Sequence, residues 1–200
     1  MSPGARIPLP EGEELSPAQR RVVETVTSGR RGELVGPLRA VLHNPDLADR
    51  WQQLGEALRF DTVFPPICSE LAILLTARRW NSELEWVIHA DAARQAGLPE
   101  EVITAIRERR RPHLADPPLR EIYDYVSDLQ NTGQVRDEYY ANVRRRWGAI
   151  GLVELTAISG YYTMVAMTLN AHRIPLPEGR RAELYAAGEK APDELSQLPG

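Results

Sequence analysis

Apolar residues recur at intervals of three and four along most of the chain. The stretch 45–59 shows the pattern well, since Leu47, Trp51, Leu54 and Leu58 fall on one face of a helix. No window alternates between apolar and polar residues at every second position, as a half-exposed strand would. The sequence therefore predicts an all-α protein of roughly ten helices of ordinary length.

Helix boundaries follow from the usual starting and ending residues. Ser16-Pro17 and Asp116-Pro117 begin helices, whereas Gly97 and Gly133 end them. On these signals we predict helices over 17–27, 38–42, 45–59, 67–79, 82–96, 99–110, 117–131, 137–147, 149–159 and 161–171.

The chain divides into three predicted parts. Residues 1–15 are rich in Pro, Gly and Glu without periodicity, which indicates an extended arm. Residues 16–175 form a single helical domain. Residues 176–200 are predicted to be a loose tail with one short helical stretch near 178–188.

Two predicted helices, 67–79 and 149–159, are apolar on nearly every face. A helix of this kind is normally buried at the centre of a domain. Together with Trp and Tyr residues elsewhere, the two helices carry more apolar surface than one chain of 200 residues is expected to hide. We therefore predict a homo-oligomer, a dimer or larger.

Composition and charge exclude several classes of protein. The net charge of −4 argues against a nucleic-acid binder, which is normally basic. The single cysteine, Cys68, excludes an internal disulfide and a Cys-x-x-Cys pair, and a lone buried cysteine is usually an inert small side chain. No apolar run reaches transmembrane length and the N-terminus lacks a signal-peptide core, so we expect a cytoplasmic protein without a membrane partner.

Glu70 is the strongest candidate for chemistry, because it lies in an apolar helix between Ile67, Ile73 and Leu74. An ionised carboxylate in such a place must be paired, hydrogen-bonded or protonated. His89 follows nineteen residues later on the next predicted helix, where an antiparallel pair brings it opposite Glu70. We predict that the two side chains meet beside a pocket and titrate as a unit. The alternative is a structural carboxylate, either paired with an arginine such as Arg94 or Arg145 or capping a neighbouring helix.

Glu85 and Ser82 have two interpretations. Ser82-x-x-Glu85 is the pattern of a capping box, in which each side chain binds the other residue's backbone amide. Glu85 also lies one turn before His89, so its carboxyl can reach the same site. Glu70, Glu85 and His89 could in principle hold a metal ion, but no metal-binding signature accompanies them.

A weak internal repeat links the two apolar helices. Glu70-Leu71 in the first and Glu154-Leu155 in the second are each followed by a second predicted helix. If the two units pack against each other, both glutamates should lie near the core.

The residues around this site resemble a known family. The stretches 70–74, 85–89, 92–93, 97–98 and 101–103 are similar to those of the carboxymuconolactone decarboxylase-like superfamily, which includes alkylhydroperoxidase D. The resemblance covers roughly residues 35–175. It implies a helical bundle of the alkylhydroperoxidase D-like type, assembled as an oligomer.

The resemblance has one important departure. Peroxidase members carry Cys-x-x-Cys between the Glu and the His, but this chain has Ser82 and Glu85 at the two cysteine positions. Thiol peroxidase chemistry needs a thiolate and a resolving partner, so we do not expect it here. The cysteine-free branch resembles decarboxylases that act on a lactone acid without a cofactor.

The sequence thus predicts a cofactor-independent enzyme that transfers a proton on a small carboxylic acid or lactone, most plausibly in a decarboxylation. Lactone isomerisation or cyclisation and a non-catalytic helical oligomer are the alternatives, and an enzyme should keep a pocket at Glu70 and His89. A cation should hold the substrate's carboxylate, with Arg78 or Arg59 as candidates. The predicted catalytic residues are Glu70, His89 and Glu85, and the predicted substrate contacts are Ser82, Arg78 and Trp86.

Overall fold

The computed structural model describes residues 4–34, 36–185 and 195–200, and these contain helices and no strand. A 3₁₀ turn at Gly12–Glu14 comes first. The all-α prediction is confirmed. The helices are α1 (Pro17–Ser28), α2 (Pro37–Val41), α3 (Pro45–Phe60), α4 (Pro66–Arg79), α5 (Glu83–Gln95), α6 (Glu100–Arg107), α7 (Pro117–Thr132) and α8 (Asp137–His172).

Local capping chemistry explains where several helices begin and end. At α1, the Ser16 hydroxyl accepts from the Gln19 amide, and the Gln19 side chain accepts from the Ser16 amide. At α3, the Asn44 side chain accepts from the Leu47 amide at 3.1 Å. α7 ends at Gly133, whose φ of 75° is a left-handed conformation that glycine adopts without strain.

Helix α4 lies at the centre of the domain, as its apolar composition predicts. Every residue from 68 to 79 is buried. α5, α7 and α8 pack around it, so it has no solvent-facing side. Because α4 is covered within one chain, it contributes nothing to the exposed apolar surface from which we expected an oligomer.

Helix α8 differs from the prediction of three separate helices. The chain kinks at Gly148 (φ 69°, ψ −168°), so the predicted break there is present. The predicted break at Gly160 is absent, and 149–172 continues as one helix. The second unit of the predicted repeat therefore lacks a turn. Glu154 is only half-buried, and its carboxylate accepts from the Val63 amide at 2.8 Å, instead of lying in the core.

The prediction that no apolar run reaches transmembrane length is wrong for α8, which by length and composition alone is apolar enough to cross a membrane. Half of its most apolar window is buried inside the domain, as in the core helix of a globular protein. Its outer face still exposes large apolar side chains, among them Val153 at 70% and Met167 at 50%.

The C-terminal segment is held more firmly than a loose tail. The Glu83 carboxylate accepts from the backbone amides of residues 183–185. Farther along, Arg79 donates to the Ser196 carbonyl at 2.9 Å and accepts from the Ser196 amide at 3.0 Å through its own carbonyl. Residues 178–185 form turns and not the predicted helix, and 186–188 lie outside the described residues.

The N-terminal arm also has fixed contacts. The Arg6 amide donates to the His172 carbonyl at 2.8 Å, at the end of α8. The His43 imidazole lies 2.8 Å from the Pro8 carbonyl. Between residues 4 and 11 the arm has neither helix nor strand, and it runs from the end of α8 towards α2. The 3₁₀ turn at Gly12–Glu14 interrupts the extended arm that we predicted over 1–15.

The end of the tail provides a test of this docking. The Asn131 side chain donates to the Leu198 carbonyl at 2.9 Å and accepts from the Leu198 amide at 3.1 Å. Asn131→Ala removes both bonds and should lower the free energy of unfolding by about 1–2 kcal/mol in a urea titration. Asn142→Ala is the control, because the Asn142 side chain binds only the exposed Arg145 and should cost less than about 0.5 kcal/mol. Equal stability of the two variants would contradict a docked tail.

Candidate active site

The hairpin of α4 and α5 brings Glu70 and His89 together. α4 ends at Arg79 and α5 begins at Glu83, and Asn81 turns the chain in a left-handed conformation (φ 51°). Across this hairpin, His89 Nδ1 lies 2.7 Å from Glu70 Oε2. The two residues are 6% and 7% exposed. The predicted contact is therefore present in a nearly water-free setting, and the predicted Arg94 partner is not used.

The contact fixes the orientation of the imidazole ring. At 2.7 Å, Nδ1–H donates to the Glu70 carboxylate, which favours a proton on that nitrogen. The second ring nitrogen, Nε2, faces Glu85 Oε1 at 3.7 Å, too far for a direct hydrogen bond. Tyr162 also packs against the imidazole of His89. The two rings are T-shaped, with their centroids 5.0 Å apart. A proton carried by His89 therefore has Glu70 on one side and Glu85 on the other.

Glu85 is a buried carboxyl with an unsatisfied oxygen. The residue is 3% exposed, and Oε1 makes no hydrogen bond within the described residues. Burial and the nearby charge of Glu70 raise the pKa of Glu85 well above its usual value, although Arg59 and Arg31 oppose the shift. The environment thus favours a neutral carboxylic acid that can donate a proton.

The capping-box interpretation of Ser82 and Glu85 is wrong. The Ser82 side chain makes no hydrogen bond to the first turn of α5. Its hydroxyl is buried without a partner in the described structure. Both members of the pattern are therefore left with free hydrogen-bonding capacity inside the protein.

Arg31 was not found by sequence reasoning, yet its charge acts on this site. Its Nε and one terminal nitrogen are buried and make no well-formed hydrogen bond within the described residues. The guanidinium lies beside the Tyr161 hydroxyl, and a Cβ added at Gly55 would overlap both groups. Burial raises the pKa of Tyr161 to about 12, so its phenol stays neutral. The one local hint is Gly55, a residue without a side chain on the apolar face of α3.

The predicted substrate contacts at Arg78 and Trp86 face another part of the protein. Arg78 donates to Asn81 Oδ1 at 2.9 Å and to the Tyr185 hydroxyl at 3.3 Å. The Trp86 indole donates to Glu183 at 3.2 Å. Both residues hold the C-terminal segment, so their substrate-binding role stays a prediction without support from the geometry.

Cys68 lies two residues before Glu70 in α4, and the charged groups that act on it are Asp116, Arg146 and Glu121. It is 2% exposed, and burial raises the pKa of its thiol to about 11. A thiol that holds its proton so firmly is a poor nucleophile at neutral pH.

The pocket that we predicted beside Glu70 and His89 stays a prediction, and two cavities lie elsewhere in the described residues. A cleft of about 270 Å³ lies between α1 and α3, where Arg21 and Asp46 are among its lining residues. A small depression lies near Arg136 and Gly200. Neither of these two is lined by Glu70 or His89. Both residues are buried, and so is Glu85, so the candidate site lies inside the described structure.

Two solved structures share the architecture of this chain. One is an uncharacterized peroxidase-related protein from Silicibacter sp. TM1040, with a TM-score of 0.71, 13% identity and coverage of 87% of this chain and 92% of that one. This chain has the AhpD-like helical fold. The second is an alkylhydroperoxidase AhpD core, an uncharacterized peroxidase-related protein from Ralstonia eutropha JMP134, with a TM-score of 0.71, 15% identity and coverage of 88% and 94%. Comparison with models of known protein families and with curated proteins found no match.

These likenesses concern the fold. At 13% and 15% identity, a shared AhpD-like architecture does not carry over an activity. The resemblance noted from the sequence is thus supported at the level of the helical architecture, and the chemistry has to be argued from the residues of the site.

Glu85 gives a test of the site that needs no substrate. Its pKa is raised in the folded state from a reference value of 4.5, so the folded chain binds more protons than the unfolded chain above that pH. Stability contributed by this group is therefore lost as the pH rises. Glu85→Gln removes the ionisable group and with it this pH dependence. The melting temperature of the variant relative to wild type should therefore increase between about pH 5 and pH 8, by about 2–4 °C for each kcal/mol of unfolding free energy that the wild type loses.

The control titrates in a lower pH range and with the opposite sign. Arg94 holds the pKa of the exposed Glu100 below its usual value of 4.5, so the stability that this group contributes increases as the pH rises to about 5 and then stays constant. Glu100→Gln should therefore lose stability relative to wild type as the pH rises to about 5, and its difference from wild type should not change between about pH 5 and pH 8. A pH-independent difference for Glu85→Gln would show that Glu85 is ionised as readily in the folded chain as in the unfolded one.

Proposed function

We propose that this protein is a cofactor-independent enzyme that transfers a proton on a small carboxylic acid or carboxylated lactone, and that the reaction is a decarboxylation. The observation that carries the proposal is the arrangement of Glu70, His89 and Glu85 around one buried imidazole, at 2.7 Å and 3.7 Å. Acid–base catalysis needs neighbouring groups of opposite protonation, and different environments separate them here. Glu70 accepts a hydrogen bond from the ring N–H of His89, whereas burial favours the neutral form of Glu85.

In the proposed reaction, the substrate's carboxylate leaves as carbon dioxide. The electron pair of the broken C–C bond stays on the substrate carbon, which then takes a proton. Glu85 is the donor suited to this step, because a neutral carboxylic acid in a dry site gives up its proton to a developing carbanion. Glu85 becomes a carboxylate and regains a proton from water by way of His89, whose positive charge is stabilised by Glu70.

We propose that Arg31 binds the carboxylate of the substrate. The sequence analysis considered Arg78 or Arg59 for this role. A guanidinium pairs with a carboxylate through two parallel hydrogen bonds, which also fix its orientation. The buried nitrogens of Arg31 without well-formed bonds supply that capacity. Arg31 belongs to the connection between α1 and α2, so a displacement of this connection is the proposed route for a ligand into the closed site.

A non-catalytic helical oligomer is the second candidate. It is favoured by the burial of Glu70 and His89 as an ion pair, which a structural role would also require. Against it stand the unsatisfied polar atoms of Glu85, Ser82 and Arg31, since each such buried group costs about 1–3 kcal/mol. A purely structural interior has no reason to retain several of them together. Isomerisation or cyclisation of a lactone would use the same acid and base.

The first experiment is a screen of small carboxylic acids and carboxylated lactones by thermal shift, followed by measurement of carbon dioxide release from those that bind. Glu70→Gln, His89→Asn and Glu85→Gln should each lower kcat about 100-fold or more, the usual scale for one general acid or base. Glu154→Gln is the control, because Glu154 holds the corresponding position in α8 but binds the Val63 amide outside the site. Circular dichroism checks that each variant is folded.

A neighbouring pair of arginines separates binding from folding in the same screen. Arg31→Met should weaken binding of the acid about 10-fold or more, which is the loss of about 1.4 kcal/mol. Arg30→Met should leave binding unchanged, because Arg30 is exposed and paired with Asp61. If no acid stabilises the protein, or if the variants of Glu70 and His89 keep near-normal rates, the structural alternative is correct.

Peroxidase activity is a separate test. We expect negligible consumption of an organic hydroperoxide with a dithiol reductant, because positions 82 and 85 lack thiols and Cys68 is buried and protonated. Cys68→Ser is the matched variant. A rate that persists after removal of trace metal and disappears in Cys68→Ser would contradict this expectation.

A further inference from the structure

The outer face of α8 carries a regular apolar seam. Seven residues follow one another at alternating steps of three and four, the spacing of a coiled-coil seam. The largest exposed members are Val153 at 70%, Ile150 at 63%, Met167 at 50% and Met164 at 36%. The complete seam is Ile150, Val153, Ala157, Gly160, Met164, Met167 and Ala171.

The seam lies on a helix segment that is almost free of charge. Between 149 and 172 the only Asp, Glu, Lys or Arg is Glu154, and its carboxylate is occupied by the Val63 amide. The preceding segment, 137–147, has the opposite character and includes three consecutive arginines, 144–146. A helix segment of more than six turns with a single charged side chain and a water-facing apolar strip is unusual for a soluble domain, and it indicates that something covers the strip.

We propose that this seam binds the same seam of a second copy, in an antiparallel pair with its two-fold axis near Gly160. In such a pair, the first, second and third seam residues before Gly160 face the first, second and third seam residues after Gly160 on the second copy. Met164 then meets Ala157 of the second copy, Met167 meets Val153, and Ile150 meets Ala171. Large side chains are opposite small or medium ones, and Gly160 allows the helices to approach closely where they cross.

A second copy suits the seam better than a membrane does. Helices that lie in a membrane surface have a broad apolar face, normally with Trp, Phe or Leu. Here the exposed apolar strip is one seam wide, and its flanks carry polar residues such as Thr156, Thr163 and Asn170. The opposite face of α8 is buried in the domain core, so the helix cannot leave the domain to enter a bilayer without exposing that core.

Light scattering at micromolar concentration tests the pairing. The wild-type chain of 22.5 kDa should give about twice that mass. Val153→Glu and Met167→Glu place a charge in the seam and should each raise the dimer dissociation constant about 100-fold or more. Leu47→Glu is the matched control, because Leu47 is a similarly exposed apolar residue (47%) on α3, and it should leave the mass unchanged.

Disulfide crosslinking tests the orientation. Gly160→Cys should form a disulfide between copies under mild oxidation, because the two cysteines meet at the two-fold axis and no neighbouring atom obstructs a Cβ there. Val153→Cys should not, because it faces Met167 of the second copy. Crosslinking at 153 and not at 160 would overturn the antiparallel register.

Two further outcomes would overturn the proposal as a whole. One is a monomer for the wild type, and the other is a dimer that both seam variants leave intact. Co-sedimentation with vesicles of phosphatidylcholine and phosphatidylserine tests the membrane alternative, which would be supported by a monomer that binds vesicles and loses binding in Val153→Glu. Melting temperatures of the variants confirm that each one is folded.

Discussion

Helix α4 is enclosed on every side, so each polar group on it needs a partner inside the protein. Glu70 takes His89, and the Thr76 hydroxyl bonds back to the Ala72 carbonyl at 3.0 Å. Arg78 and Arg79, at the end of the helix, are also buried. Buried charges without partners are costly, so the chain must bring hydrogen-bonding groups to this end of α4.

This requirement accounts for the docked C-terminal segment. Arg79 binds the Ser196 carbonyl, and Arg78 binds the Tyr185 hydroxyl. Ser196 also forms a short hydrogen bond with Asn81 in the turn between α4 and α5. The segment thus supplies hydrogen-bond partners to the buried polar groups of the α4–α5 hairpin, which positions Glu70 opposite His89. It also covers this hairpin from water. Arg78 and Trp86 therefore support the hairpin through the C-terminal segment that they bind.

Sequence reasoning succeeded where the decisive forces are local. Apolar periodicity and capping residues located most helices, and the short turn after Arg79 was enough to place His89 opposite Glu70. It failed at Gly160, because a glycine ends a helix only when packing on both sides allows the chain to turn, and here the core-facing residues continue without interruption. It failed at Ser82 for a related reason, since the capping pattern contains no information about a turn that is buried. Arg31 could not be predicted from the sequence, because only the packing of α3 against α8 around Gly55 brings it near Tyr161.

The two faces of α8 connect the candidate site with the proposed seam. On the inner face, Tyr162 packs against His89, and Tyr161 stands beside Arg31. On the outer face, Gly160 and Met164 belong to the seam. A second copy bound there would restrain the backbone that carries both tyrosines, and this wall of the site would become more rigid. Opening of the site would then depend on the connection between α1 and α2, which carries Arg31 and is not part of a core helix. The same guanidinium that is proposed to bind the substrate's carboxylate would thereby move with the entrance, so that binding of the acid and closure of the site become one event.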